Sequence, residues 1–479
     1  MDQYKKVAKN IVFFALGTFG SKLISFFLVP LYTSVLVKEA FGKMDVFYST
    51  INLLVPFVSL ILPETVLRFS LDQKENKKEI LTNAFLGILF FYIIFIISSM
   101  LFLKIDLYLK YKFLFKSILL VSILNELFAL FTKSINKVFW FSLGGILSTF
   151  LTLILNIYFL IFLKIGVEGI FYSWLISGII SLIYYFIVSE SCKYIVIRLF
   201  NLSKLKEMLF FSIPLIPNVM NWWVINVSDR YLLTYFIGYD ATGLYSVSYK
   251  LPTILTVINL IFYQAWQISA IENDKSENRD RLYSNLFKVN MGLILLSTSG
   301  ILIMLKPFMR IYVAEDYFIA YKYAPFLLIG TVFSAFSIFF GVGYLTSKKT
   351  IQAFTTSVIG SIVNIVVNIL FIPKIGIQAA AISTLLSFLV MWLARVYQTR
   401  KFYKINIDLK KFIPALLVVF IQSYLVIATE RNSTLFQFLL FASLLLIFIK
   451  EEKIMINKGV KFIKEFNFAV RQSHHTGKF

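Results

Sequence analysis

The chain has 479 residues, of which 59% are hydrophobic, and its mean hydropathy of +0.80 lies well outside the range of soluble proteins. Its apolar runs reach about 18 residues and more, which indicates an all-α integral membrane protein and not a β-barrel. The formal charge of +22 would suit nucleic acid. No basic stripe carries a recognised nucleic-acid-reading motif, however, which argues against such a partner.

About fourteen segments of roughly twenty residues are apolar enough to cross a bilayer as helices. With the N-terminus in the cytoplasm, about thirty Lys and Arg fall on the cytoplasmic side and about eleven on the other, as the positive-inside rule requires. Both termini are therefore predicted to be cytoplasmic, and the basicity is mostly a topology signal. The predicted spans lie near 11–32, 44–63, 82–103, 113–131, 138–163, 167–189, 208–237, 243–271, 285–305, 322–345, 351–372, 376–396, 412–428 and 435–449.

Two pairs of similar segments, about 200 residues apart, predict an internal duplication. LILNIYFLIFLKIGVEGIFYSWLIS resembles NIVVNILFIPKIGIQAAAISTLLS, which aligns Gly166 with Gly376 and, with a shift of two residues, Asn156 with Asn368. FGKMDVFY resembles TGLYSVSY, and the aligned pairs there are Gly42 and Gly243, Val46 and Val247, and Tyr48 and Tyr249.

The duplication predicts two parallel-related bundles of six helices, residues 1–200 and 201–400, with a central cavity between them. Residues 401–450 would add two further membrane helices. Residues 451–479 would form a cytoplasmic amphipathic tail, which lies on the inner leaflet or docks a biosynthetic partner. This is a transporter architecture. The helices predicted to move are those kinked or loosened by proline, namely by Pro30, Pro56, Pro214, Pro217 and Pro252.

Ionisable residues inside predicted spans are costly in a bilayer and are therefore candidates for a functional site. Asp229 and Arg230 are adjacent in MNWWVINVSDRYLLTYFIGYD, and neighbouring helical residues point about 100° apart. Either each has its own partner or both face a hydrated cavity. Asp229 is a candidate counter-ion for Lys22, Lys250 or Arg230. The further candidates are Lys22, Lys250, Glu64, Arg68 and Glu126.

Cationic side chains in a membrane cavity imply an anionic ligand, because guanidinium and ammonium groups suit phosphate. The predicted phosphate- or sugar-binding residues are Lys22, Arg230, Lys250 and Arg68, and the predicted counter-ion or coupling residues are Asp229, Glu64 and Glu126. Aromatic rings stack on sugars, although they also populate membrane interfaces. The aromatic residues predicted to line the cavity are Trp222, Trp223, Tyr231 and Tyr249.

The stretch VSDRYLLTYFIGYDATGLYSVSYKL resembles the polysaccharide flippases of the multidrug/oligosaccharidyl-lipid/polysaccharide exporter superfamily. NIVFFALGTFGSKLISFFLVPLYTSVL and FGKMDVFYSTINLLVPFVSLIL are similar to the first two helices of that family. The resemblance covers residues 7 to about 400. Its motifs separate this chain from unrelated transporters better than they separate members of the superfamily.

The resemblance implies a Wzx-type flippase that moves undecaprenyl-diphosphate-linked oligosaccharide units to the outer leaflet of a bacterial inner membrane. Such units serve O-antigen or capsule assembly, where polysaccharide polymerases and glycosyltransferases would be partners. The resemblance also implies alternating access coupled to protons or Na⁺. Only the pair Asp229 and Arg230 is carried over with specificity, because the cationic positions of the family vary.

A non-enzymatic function, without a cofactor, follows from the absence of catalytic motifs. The sequence has no P-loop, HExxH or GxSxG motif, and its two histidines, His474 and His475, are adjacent in the tail. The single cysteine, Cys192, excludes an intrachain disulfide and a CxxC site. A lipid II flippase, a multidrug exporter and, less favoured, a membrane glycosyltransferase or polymerase remain alternatives.

Overall fold

The computed structural model describes residues 20–72, 74–102, 106–272, 278–347, 349–429 and 434–449. Throughout these ranges the regular secondary structure is helical, and no β-strand occurs in them. The predicted tail with His474 and His475 lies outside the described residues, as does the beginning of the first predicted span.

Eighteen α-helices occur in the described ranges. The π-helical turn Tyr158–Phe162 extends α6, and the 3₁₀ helices are Ile197–Leu199, Ile213–Leu215 and Glu315–Lys322. The α-helices are α1 Gly20–Val35, α2 Lys38–Ser59, α3 Leu62–Ser70, α4 Lys77–Phe102, α5 Asp106–Ser134, α6 Val138–Ile157, α7 Val167–Val188, α8 Ser191–Tyr194, α9 Leu202–Ser212, α10 Ile216–Phe236, α11 Tyr239–Ser248, α12 Pro252–Glu272, α13 Arg279–Tyr312, α14 Ala324–Thr346, α15 Thr350–Ile375, α16 Ile377–Thr399, α17 Leu409–Ala428 and α18 Thr434–Ile449.

Ten spans in the described residues are long and apolar enough to cross a membrane, or twelve if two bent helix pairs each count as one span. The bent pairs are α2 with α3 and α11 with α12, while α1 and α18 are apolar but shorter. Where the structure describes them, the predicted spans therefore fall on one helix or on two consecutive helices, and the prediction of an all-α integral membrane protein is confirmed. The count of fourteen crossings stays a prediction.

The break between α2 and α3 follows from local backbone chemistry. Leu60 and Ile61 both adopt left-handed conformations, with φ of 49° and 57°, and Pro63 lies in the first turn of α3, where backbone N–H groups have no acceptor within the helix. The two helix axes differ by 57°. Pro56 lies inside α2, so the chain turns about one helical turn after the proline that was predicted to loosen this span.

The chain divides into two compact units, each with its own aromatic core. In unit 1, α5 and α6 both pack on α7, and Phe47 stacks on Phe171 with ring centroids 4.0 Å apart. In unit 2, α12 packs on α14, and Trp266 stacks on Phe339 at 4.4 Å. The predicted boundaries at residues 200 and 400 stay predictions. Unit 1 comprises Met1–Val247, Ile311–Ile319 and Asn364–Ala380, and unit 2 comprises Ser248–Arg310, Ala320–Val363 and Ala381–Phe479.

The aligned glycines have matching structural roles, as a duplication requires. Gly166 precedes α7 with φ of +63° and Gly376 precedes α16 with φ of +65°, a region that favours glycine. A Cβ on Gly42 would overlap the carbonyl oxygen of Tyr239, and a Cβ on Gly243 that of Lys38. The repeat-related glycines thus let the backbones of α2 and α11 touch within unit 1.

Candidate functional site

A cavity of about 480 Å³ lies in unit 1 among α2, α3, α5 and α10. Its volume is in the range of small-ligand sites. The break after α2 places Glu64 in the first turn of α3, where the helix dipole favours a carboxylate. The residues that line the cavity are Asn52, Val55, Pro56, Ser59, Glu64, Ser122, Glu126 and Val219.

The structure brings together two of the predicted coupling residues, because Glu64 and Glu126 line this same cavity. Glu64 is exposed and Glu126 is half-buried. Two carboxylates that line one cavity repel each other when both are ionised, and a shared proton or a bound cation would stabilise them. Asn52, Ser59 and Ser122 line the same cavity, and amide and hydroxyl oxygens are hard ligands of the kind that suit an alkali cation. The cavity is therefore chemically suited to a proton or Na⁺.

Arg230 is buried in unit 1 and forms an ion pair with Asp45 of α2. Its Nε donates to Asp45 Oδ2 at 2.5 Å and its Nη1 donates to the carbonyl oxygen of Asn226 at 2.7 Å. Ser246 Oγ donates to the same Asp45 oxygen at 2.6 Å. The hydrogen-bonded ion pair offsets much of the cost of burying the guanidinium.

Asp229 is fully buried and accepts hydrogen bonds from two other helices. Tyr245 Oη donates to its Oδ2 and Asn368 Nδ2 donates to its Oδ1, both at 2.5 Å. Asn364 Oδ1 in turn accepts from Asn368 at 3.2 Å and from Ser228 at 2.8 Å. The adjacent Asp229 and Arg230 therefore each have partners of their own, the first of the two predicted arrangements.

Asp45 was not among the sequence-based candidates, although the repeat alignment contains the signal that finds it. It lies between the aligned Gly42 and Val46, so its counterpart in the second half is Ser246, the residue that donates to it. Asp45 and Ser246 are thus aligned in the repeat and also in contact, as expected of two residues related by pseudo-symmetry. A search for charged residues deep inside predicted spans does not find Asp45, because this residue lies within two turns of the start of α2.

Two of the predicted aromatic residues lie on α10 against α2. Trp223 Nε1 donates to the carbonyl oxygen of Ser49 at 3.3 Å, and Tyr231 Oη shares a hydrogen bond of 2.7 Å with Thr50 Oγ1. Their rings lie 5.3 Å apart. Trp222 is half-buried beside them on α10. These contacts fix one helix against the other next to the cavity wall at Asn52.

The remaining predicted residues lie elsewhere. Lys22 is exposed on α1 and Arg68 is exposed in the last turn of α3. Tyr249 and Lys250 are half-buried in unit 2. Their roles as phosphate, sugar or cavity-lining residues stay predictions.

The family model for polysaccharide biosynthesis proteins matches residues 7–267, more than half of the chain. The chain belongs to this family. A curated relative, an uncharacterized membrane protein of Methanocaldococcus jannaschii, is 27% identical over 267 residues. That match covers 51% of this chain and 50% of the relative, so the chain spans about half the length of the curated relative it matches.

Solved structures of transporters share the fold. A lipid II flippase MurJ in an inward closed conformation has a TM-score of 0.65 at 17% identity, with 94% of this chain and 100% of that chain covered. An inward-facing multidrug resistance MATE family transporter of the MOP superfamily has a TM-score of 0.64 at 11% identity, with 81% and 94% covered. A mutant of the Vibrio cholerae MATE transporter VcmN has a TM-score of 0.57 at 12% identity, with 83% and 97% covered. The chain therefore has the fold that MurJ and MATE transporters share.

Proposed function

We propose that this protein is a flippase that moves lipid-linked oligosaccharide units across the membrane by alternating access. The substrate class is an undecaprenyl diphosphate oligosaccharide, and the product serves O-antigen or capsule assembly. The observation that carries the proposal is the match to the polysaccharide biosynthesis family over residues 7–267, the region that contains the cavity and the Asp45–Arg230 ion pair.

Arg230 is the central substrate-binding residue in this proposal. A diphosphate presents oxygens that a guanidinium binds in bidentate geometry, and Arg230 already holds a carboxylate in this structure. The substrate headgroup would therefore compete with Asp45 for the same guanidinium. Lys22 and Arg68 in unit 1, and Lys250 in unit 2, are further candidates for contact with the diphosphate or with acidic sugars.

The coupling step is assigned to Glu64 and Glu126. Their shared cavity would hold protons or Na⁺, and neutralising two carboxylates changes the electrostatics of α3 and α5 together. Asp229 is a second candidate for coupling, since its two hydrogen-bond donors lie on other helices. No bond of the substrate is made or broken, so the mechanism requires no nucleophile and no general base.

The cellular setting follows the same proposal. The protein would act in a bacterial inner membrane with both termini in the cytoplasm, next to polysaccharide polymerases and glycosyltransferases. The test is a strain from which the gene is deleted, analysed for surface polysaccharide and lipid-linked intermediates. Loss of the surface polymer with undecaprenyl-linked oligosaccharide retained on the cytoplasmic side is expected, and an unchanged polymer would contradict the proposal.

Two alternatives each have an observation in their favour. The first is a lipid II flippase, because the structural match to the lipid II flippase MurJ covers 94% of this chain. Under that alternative, the protein should rescue growth when the host lipid II flippase is depleted. Among the described residues, the lining of the unit 1 cavity includes two acidic side chains and no basic one, which suits a cationic drug. A drug exporter would change drug sensitivity in the deletion strain and leave both lipid-linked pools unchanged.

A further inference from the structure

The cavity of unit 1 is larger than a coupling ion requires. Its volume of about 480 Å³ lies in the ~300–1,000 Å³ range of small-molecule sites, whereas one water molecule takes about 30 Å³ in the liquid. A proton or a Na⁺ held by Glu64 and Glu126 would therefore leave most of the space unused. Asn52, Glu64 and Val219 are exposed, so the cavity is open to a ligand from outside the protein.

Four polar side chains of the cavity lining have no partner in the part of the chain that the structure describes. None of them forms a side-chain hydrogen bond or an ion pair with another described residue. Ionised carboxylates only accept hydrogen bonds, whereas an amide and a hydroxyl both donate and accept. A ligand in the cavity therefore meets acceptors and donors together. The four residues are Asn52, Glu64, Ser122 and Glu126.

Ser59 supplies a buried donor that is independent of the acidic residues. This residue is 1% exposed and lines the cavity. Its Oγ accepts a hydrogen bond of 3.2 Å from the backbone N–H of Ile61, and its hydroxyl hydrogen has no acceptor among the described residues. A buried donor without an acceptor is costly. A cation offers no acceptor, so neither a proton nor Na⁺ would satisfy this hydroxyl.

We propose that the cavity binds one uncharged, hydroxyl-rich sugar ring of the lipid-linked glycan and excludes acidic sugars. This inference rests on the proposed function and names the sugar chemistry that the flippase accepts at this site. Sugar hydroxyls donate and accept, so they would donate to the carboxylates of Glu64 and Glu126 and accept from Ser59. A uronic acid would bring a third carboxylate into the same cavity, where like charges repel.

The test uses the full-length protein in nanodiscs of phosphatidylcholine, which contain no sugar detergent. Saturation-transfer difference NMR then compares three soluble probes, namely methyl β-galactoside, methyl N-acetyl-β-glucosaminide and methyl β-glucuronide. Both neutral glycosides are expected to give transfer signals. The glucuronide has a carboxylate and should bind about tenfold more weakly or less.

A bulky substitution on α10 separates this cavity from other places where a glycoside could bind. Val219→Trp fills the cavity without changing a charge, and should weaken binding of the neutral glycosides about tenfold or more. Met220→Trp is the matched control, because Met220 is 38% exposed, Val219 is 37% exposed, and Met220 does not line the cavity. Binding by this control should stay within about twofold of the wild type.

The double variant Glu64→Gln with Glu126→Gln tests the selectivity. It removes the repulsion and should admit the glucuronide, a gain of binding that misfolding does not produce. If this variant does not fold, the wild-type comparison of neutral and acidic glycosides still decides the question, together with Val219→Trp and Met220→Trp.

Equal transfer signals from all three probes in the wild type would overturn the proposal, as would neutral-glycoside binding that Val219→Trp leaves unchanged. Binding of tetraethylammonium without binding of either neutral glycoside would also contradict it, because the cavity would then be a cation site. Glycan export is a separate readout. A deletion strain that loses its surface polymer, with no glycoside binding by the purified protein, would remove this inference and leave the proposed function standing.

Discussion

Units 1 and 2 each bury an arginine in an apolar helix, and the two guanidinium groups have partners of different kinds. Arg230 in unit 1 has a carboxylate, Asp45, at 2.5 Å. Arg395 in unit 2 has two hydroxyl oxygens and a carbonyl oxygen. Arg230 therefore has an anionic partner that a phosphate could replace, whereas the three partners of Arg395 are neutral oxygens.

Removing the carboxylate from unit 1 should produce the largest effect. Asp45→Ala leaves Arg230 buried without its ionic partner, so we expect a loss of about 3–5 kcal/mol in the free energy of unfolding. The double variant Asp45→Ala with Arg230→Ala should recover most of this loss. Detergent-solubilised proteins compared in a double-mutant cycle measure the difference, and additive losses would show that the ion pair does not couple the two helices.

The corresponding change in unit 2 should cost less. Arg395→Gln removes a charge that no described carboxylate balances, along with three neutral hydrogen bonds worth about 0.5–1.5 kcal/mol each. We expect this variant to lose less free energy of unfolding than Asp45→Ala, with both measured by thermal unfolding in the same detergent. A larger loss than for Asp45→Ala would contradict the contrast between the two arginines.

Asn368→Ala tests the neighbouring carboxylate of unit 1. It removes one of the donors to the fully buried Asp229, and an under-satisfied buried acceptor costs about 1–3 kcal/mol. Asn156→Ala is the matched control, since the repeat-related Asn156 donates to the hydroxyl of Tyr32 and not to a carboxylate. A greater loss for Asn156→Ala would contradict a special need for donors at Asp229.

Glu64→Gln and Glu126→Gln should change coupling more than folding. Neither residue has a salt bridge within 4.0 Å to another described residue, so neutralising either one should alter the unfolding midpoint little. In proteoliposomes, the dependence of transport on a proton or Na⁺ gradient should fall at least tenfold. Unchanged gradient dependence in both variants would remove the cavity from the coupling mechanism.

The smallest effect is expected at an exposed cluster outside the spans. Hydrogen bonds from Lys193 and Lys137 lower the pKa of Glu190 to about 2. Their stabilisation is present above the ordinary carboxyl pKa of 4.5 and is lost as the pH falls through about 2. The free energy of unfolding of Glu190→Gln should therefore be slightly lower than that of the wild type at pH 7, and the two values should converge toward pH 2. This exposed cluster gives the effect of a solvated ion pair, with which the buried Asp45–Arg230 pair can be compared.

The sequence predicts the helices of this fold well because hydropathy is a direct property of composition. In the part of the chain that the structure describes, each predicted span falls on one helix or on two consecutive helices, and the aligned Gly166 and Gly376 share one backbone conformation. The exact break between α2 and α3 could not be predicted, since it occurs at Leu60 and Ile61, two residues with no preference for a left-handed backbone.

The partners in the site were harder to predict than its charged members. Asp229, Arg230, Glu64 and Glu126 are identified by their cost in a membrane. Asp45 is not, because its importance arises from a contact between helices about 185 residues apart in sequence. Arg395 near the end of its span looks like an interfacial residue in the sequence, and only its burial reveals its environment.

The most direct test of the account measures glycan export in strains that carry Arg230→Gln, Arg230→Lys or the double variant Asp45→Asn with Arg230→Gln. The double variant leaves no unpaired charge, so it separates folding from function. We expect all three proteins in the membrane, lipid-linked oligosaccharide accumulating with Arg230→Gln and with the double variant, and partial export with Arg230→Lys. Normal export by the double variant would contradict the claim that Arg230 binds the diphosphate.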